Sequence, residues 1–322
     1  MNTQIEELNN EGVKFFLAGK FKDAKKKYEE ALKMNPEYAT TLNNIGMCFL
    51  QERDYVKAQK YFTNAINKKE TATYVLNLGH ALANQGLLKE AEENYIKSIQ
   101  LNSNSIMAFK SLGSLYQKQQ RFPESIKVWE QVIRNLSADS IFKIELAKDL
   151  IQLSEYQNAL AVLFEAEKYE KNRAITWYYM ALVHFHLKNF GLAEKTINRS
   201  IGLEPENLKF RALLAVIYLG FSDITNAIKQ WDYILKFDEN NLKIRIDKAV
   251  ALLSNGFRDE ALSELKVVLN KEANHPKALF YKALTLLEIN KKDKEAIQLL
   301  KDLADETTEF SKVAQDFLTQ LK

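Results

Sequence analysis

Residues 39–66, ATTLNNIGMCFLQERDYVKAQKYFTNAI, decide the fold. Leu42, Ile45, Gly46 and Phe49 fall at steps of three or four, and beyond the Arg53-Asp54 break Ala58, Phe62 and Ala65 do the same. That spacing reads as two amphipathic helices joined by a tight turn. Sliding the sequence along itself brings the pattern back with a period of 34. Small residues stand at Ala24, Ala58, Ala91, Ser125, Ala159, Ala193, Ala227, Ala261 and Ala296, 34 apart except for one step of 33 and a last step of 35. One helical turn later comes a bulky column: Tyr28, Phe62, Tyr95, Trp129, Leu163, Ile197, Trp231, Leu265 and Leu300.

Upstream lies a second small column, Gly12, Gly46, Gly79, Gly113, Ala147, Ala181, Ala215, Ala249 and Ala283, where two helices have to approach closely. Turn signals such as Gly19-Lys20, Gln85-Gly86 and Asn255-Gly256 part the two helices of a unit, and Pro123 suits the first turn of a helix. Nine units beginning near residues 5, 39, 72, 106, 140, 174, 208, 242 and 276 cover the chain. Glu11, Lys248 and Lys282 interrupt a column that is otherwise apolar. Thr3 and Glu6 have the form of a capping box at the first helix. Phe310, Val313, Ala314, Phe317, Leu318 and Leu321 form one stripe, which predicts a capping helix over about residues 307–321.

With 45 basic and 42 acidic side chains the net charge is +3, too mild and too mixed for bulk electrostatics to predict nucleic-acid binding. The lone Cys48 forms no internal disulfide and no Cys-rich zinc site, and it reads as a buried apolar thiol. No leader pattern and no long apolar run stands out, so the expectation is a soluble, cytoplasmic protein without direct membrane insertion.

Through Leu42, Ile45, Gly46, Phe49, Ala58, Phe62 and Ala65 the chain resembles the tetratricopeptide repeat (TPR) family. The resemblance implies an all-α fold, a single right-handed α-solenoid of about nine helix-turn-helix units over residues 1–322 plus the C-terminal capping helix. It also implies that the first helix of each unit lines a concave groove. At about 100° per residue, a side chain two positions before the Gly12 column points about 200° away from the packed face. That inward column reads Asn10, Asn44, Asn77, Ser111, Glu145, Tyr179, Leu213, Asp247 and Tyr281.

Carboxamides one repeat apart can pair with the main chain of an extended peptide. Asn10, Asn44 and Asn77 resemble the asparagine ladder in the TPR domains of O-linked N-acetylglucosamine transferases. Four residues before the inward column the later units carry Lys209, Lys243 and Lys277, with Arg211 and Arg245 close by, a stripe suited to an acidic segment. Tyr178, Tyr179 and His186 gather in the sixth unit, where tyrosine offers a large, stiff anchor with a polar tip. The carboxylate clamp that holds Hsp70 and Hsp90 tails needs Lys, Asn, Asn, Lys and Arg. This chain has Asn9, Val13, Asn44, Thr73 and Asn77 there, one match, which argues against those tails.

The histidines His80, His184, His186 and His275 are scattered, and no phosphate loop, His-Glu-x-x-His or nucleophile elbow occurs. The sequence therefore reads as a non-enzymatic scaffold or adaptor that needs no cofactor or metal and binds protein or extended peptide. A regulatory subunit of a separately encoded enzyme, a structural subunit of a larger assembly and a homo-oligomer stay open as alternatives.

Overall fold

Nineteen α-helices follow one another in the computed structural model, which describes residues 2–137 and 139–320, and no strand occurs among the described residues. Two compact units divide the chain, Met1–Tyr169 and Glu170–Lys322, where the sequence reading has one array. The N-terminal unit pairs α1 (Asn2–Leu17) with α2 (Phe21–Met34), α3 (Ala39–Gln51) with α4 (Tyr55–Lys68), α5 (Ala72–Asn84) with α6 (Leu88–Leu101), α7 (Ile106–Lys118) with α8 (Phe122–Asn135), and α9 (Ser140–Gln152) with α10 (Tyr156–Tyr169). The C-terminal unit pairs α11 (Ala174–His186) with α12 (Phe190–Leu203), α13 (Leu208–Gly220) with α14 (Ile224–Phe237), α15 (Leu242–Ser254) with α16 (Arg258–Lys271), and α17 (Pro276–Ile289) with α18 (Lys294–Asp305), and ends in α19 (Ser311–Gln320). The expected starts from 39 onward coincide with helix starts. Helix α1 already contains Thr3, so Thr3 is not the cap residue that the sequence suggests.

What holds each pair is a small residue on the first helix fitted under a large one on the second. A Cβ on Gly12 would lie 2.3 Å from the Tyr28 ring, one on Gly46 2.6 Å from Phe62, one on Gly79 2.6 Å from Tyr95, and one on Gly113 2.4 Å from Trp129. No real Cβ contact is that short, so the ring occupies the volume that any other residue would fill. Where the column changes to alanine, the partner is the aliphatic Leu163, Ile197, Leu265 or Leu300 in four units, all buried. Unit seven is the exception, with Trp231 opposite Ala215.

The turn inside each pair is also periodic. Gly19, Arg53, Gly86, Gln120, Ser154, Lys188, Ser222 and Gly256 all have positive φ, between 59° and 82°. The next residue returns its N–H to the carbonyl five residues back, as in Lys20 to Phe15 O (2.9 Å) and Asp54 to Phe49 O (2.9 Å), which closes the helix in a Schellman motif. Five of these positions carry a side chain in the left-handed region that glycine suits best. Unit nine, with its extra residue, instead ends at an extended Asn290, whose N–H reaches Leu286 O at 2.8 Å.

The three charged interruptions become ion pairs to second helices. Glu11 meets Lys27 at 2.9 Å, Lys248 meets both Glu264 and Asp232 at 2.7 Å, and Lys282 meets Glu295 at 2.7 Å. At the C-terminus unit nine is covered by Phe310, which precedes α19, and by Ala314, Phe317 and Leu318 of α19, with the Phe310 ring 5.3 Å from Phe280. Val313, placed in that stripe by the sequence, is 46% exposed, and Leu321 lies outside the described residues.

Candidate functional site

The i, i+4 rows of α11, α13 and α15 line a groove in the C-terminal unit. Tyr178, Leu182 and His186 come from α11, Leu208, Lys209, Ala212 and Val216 from α13, and Lys243 and Asp247 from α15, around a hollow of about 610 Å³. Trp231 and Ile234 of α14 form its floor. A second hollow of about 520 Å³ continues along α13 and α15 through Leu219, Val250 and Ser254, sharing Val216, Trp231 and Asp247 with the first.

Tyrosines and lysines, separate features in the sequence, form one cluster here. Lys209 Nζ sits 4.5 Å from the centre of the Tyr178 ring and 5.6 Å from that of Tyr179, and the two rings meet edge to face at 5.1 Å. A cation over two ring faces is held by their quadrupoles. Burial, with the neighbouring Tyr179, pushes the Tyr178 phenol up to about 12, so it stays a neutral hydrogen-bonding group. Lys243 is exposed on the groove wall, whereas Lys277 is drawn to Asp247 at 3.3 Å and lines neither hollow.

Arg211 and Arg245 turn toward second helices. Arg211 lies 3.7 Å over the Tyr233 ring and donates to Gln230 Oε1 at 3.2 Å, and Arg245 pairs with Glu264 at 2.7 Å.

In the N-terminal unit the first helices are stitched by polar side chains. Asn9 Oδ1 accepts from Thr41 Oγ1 (3.1 Å) and Asn44 Nδ2 (3.0 Å), Asn43 donates to Asn44 Oδ1 (3.3 Å), and Asn77 Nδ2 donates to Asn43 Oδ1 (2.8 Å). Asn44 and Asn77 are thus joined through Asn43, and Asn44 is tied onward to Asn9; Asn9 and Asn43 lie outside the predicted row, while Asn10 is exposed. Ser111 donates to Met107 O at 2.9 Å and meets His80 Nε2 at 2.8 Å, on the wall of a hollow of about 300 Å³. Burial pulls the His80 pKa down, which favours the neutral ring. Farther along, the buried Asp149 accepts from Trp129 Nε1 (3.0 Å) and Gln117 Nε2 (2.8 Å).

Family comparisons agree with this architecture. Models of the tetratricopeptide repeat match residues 15–66, 144–207 and 246–309, and residues 72–105. The chain belongs to the tetratricopeptide repeat family. Among curated relatives of this TPR protein, the BBSome complex member BBS4 of Bos taurus is 24% identical over 262 residues, 70% of this chain and 50% of that protein. Protein O-mannosyl-transferase TMTC3 of Homo sapiens is 26% identical over 197 residues, 56% of this chain and 22% of that protein. The TPR chain therefore spans half or less of the length of these relatives. A tetratricopeptide repeat protein from Parabacteroides merdae ATCC 43184 superposes with a TM-score of 0.64 at 16% identity, over 77% of this chain and 98% of that one. The APC/C hetero-tetramer Cut9-Hcn1 does so with 0.54 at 15% identity, over 92% and 55%. Both share the fold.

Within the described residues of this TPR protein, no group of three His, Cys, Asp or Glu side chains could hold a metal ion, and no helix is long and apolar enough to cross a membrane. Cys48 is fully buried, and burial pushes its thiol up to about 12, which keeps it from acting as a thiolate nucleophile near neutral pH. Asn9, Asn43 and Asp149 escape a reading based on one column per repeat. The only trace of Asn9 and Asn43 in the sequence is that each directly precedes a member of the asparagine row.

Proposed function

We propose that this TPR protein is a non-enzymatic interaction scaffold that holds an extended segment of a partner protein along its first helices. The observation that carries the reading is the C-terminal groove, where an apolar floor of Trp231 and Ile234, with Val216 standing above it, is rimmed by Tyr178, His186, Lys209 and Lys243. A cleft that is mostly apolar with a few convergent polar groups is the usual form of a binding site, and volumes of about 300–1,000 Å³ are typical. Tyr178 and Tyr179 anchor side chains, and Lys209 and Lys243 favour an acidic neighbour. In the N-terminal unit Asn10, Asn44, Asn77 and Ser111 offer the carboxamides and hydroxyl of a second contact region, with Asn44 and Asn77 already oriented by their own hydrogen bonds. Lys277 acts through Asp247 rather than by direct contact.

A photo-crosslinking residue placed at Val216 in the groove, and in a control at the exposed Lys266 on α16, tests the proposal. Crosslinks from Val216 that map by mass spectrometry to one continuous segment of a partner are the expected result. Crosslinks from Lys266 alone would favour the second reading, a subunit that joins a larger assembly through its other surfaces. That alternative is kept because a relative covering 70% of the chain is named as a member of a complex.

A further inference from the structure

The two hollows of the C-terminal groove differ in charge. Lys209 and Lys243 stand on the wall of the larger one, facing a single carboxylate, Asp247. The smaller hollow has Asp247 as its one charged residue, set among the neutral polar side chains Ser222, Ser254 and Asn255. Val216, Trp231 and Asp247 line both hollows and mark the boundary between them, and Val216 is 38% exposed, an apolar ridge rather than a filled core position. Lys277 touches Oδ1 of Asp247 at the long distance of 3.3 Å.

We infer that the groove is polarised and reads its ligand as an ordered pattern: an acidic side chain against Lys209 and Lys243, two apolar side chains on either side of Val216, and a cationic side chain at Asp247. The inference rests on the peptide-binding reading above and adds to it the order of charges. Its physical basis is that charges in a cleft with apolar walls are poorly screened, so a wrongly signed group is rejected more strongly there than on an open surface. Discrimination of this kind comes from the repulsive arrangement as much as from the attractive one. A ligand cation at Asp247 has to compete with Lys277, which makes Lys277 a built-in brake on that end of the groove.

The test uses the full chain and three fluorescein-labelled peptides with the same two-leucine core. One carries glutamates at one end and arginines at the other, one carries glutamates at both ends, and one carries arginines at both ends. Fluorescence anisotropy should show the mixed peptide binding about tenfold more tightly than either uniform one, with the gap closing at high salt. A Lys209→Glu/Lys243→Glu chain should shift its preference to the all-arginine peptide, and Lys277→Ala should tighten the mixed one. Both lysines are exposed, so this variant should keep its helical spectrum. Asp247→Asn offers a second test, since it should abolish the advantage of the mixed peptide over the all-glutamate one. Equal affinity for all three peptides would overturn the charge order while leaving groove binding intact. Failure of all three to bind would overturn the groove reading itself and the inference with it.

Discussion

Gly113 and Trp129 show how tightly single residues are matched. A Cβ at position 113 meets the indole at 2.4 Å, so Gly113→Ala should cost about 1–3 kcal/mol through overpacking. In a Trp129→Leu background, which copies the Ala147 and Leu163 pairing of the next repeat, the same change should cost less than about 0.5 kcal/mol. Denaturant midpoints of the four chains check this. Asp149 gives a prediction with a sign. Burial, opposed by hydrogen bonds from Ser125, Gln117 and Trp129, raises its carboxyl above the ordinary value of 3.8, so between that value and the folded one the native state holds more protons than the unfolded chain. Stability from this group is full below the unfolded value and is lost as pH rises through the window. Asp149→Asn should therefore gain on the parent chain as pH climbs from about 4 to neutrality, and parallel urea titrations would show it. Residue detail is also where the sequence was least legible. The angle argument treats each helix alone and singles out Asn10, Asn44 and Asn77. Asn9 and Asn43 enter the network because the neighbouring first helix supplies acceptors and donors that no single-helix projection contains.

Helices and turns were far more legible, because periodic columns encode packing inside one repeat. Start positions from 39 onward, Pro123 in the first turn of α8 and the covering of unit nine all follow from spacing. The start of α19 does not. Ser311 donates to Glu306 O at 2.6 Å and accepts from the Thr308 N–H at 2.8 Å, and this local bonding holds residues 306–310 out of the helix. Removing residues 310–322 should uncover Phe280, Leu287 and Leu303, lower stability by about 2–5 kcal/mol and reduce solubility. Thermal melts followed by circular dichroism would detect the loss, and an unchanged melt would mean that unit nine is stable without its cover.

At the scale of the molecule, the sequence showed the number of repeats but not the division near residue 169, because every repeat carries the same packing columns on either side of it. In a solenoid each repeat is stabilised chiefly by its immediate neighbours, so a part with enough repeats can fold alone. Residues 1–169 and 170–322 made separately should each give a helical spectrum and a cooperative melt, and only the second should bind the mixed-charge peptide. An unfolded fragment would show that the division is not one of independent stability. The fitted pairs of small and large residues carry a consequence for descent as well. Each pair lies within one repeat, 16 residues apart in units one to eight and 17 apart in the ninth. Duplication of a whole repeat copies a matched pair, whereas a crossover inside a repeat can join the first helix of one to the second helix of another and set Ala147 beneath Phe62, a ring that packs on glycine in its own repeat. The helix pair is therefore the smallest piece of this chain that can be inherited, copied or exchanged without a compensating mutation.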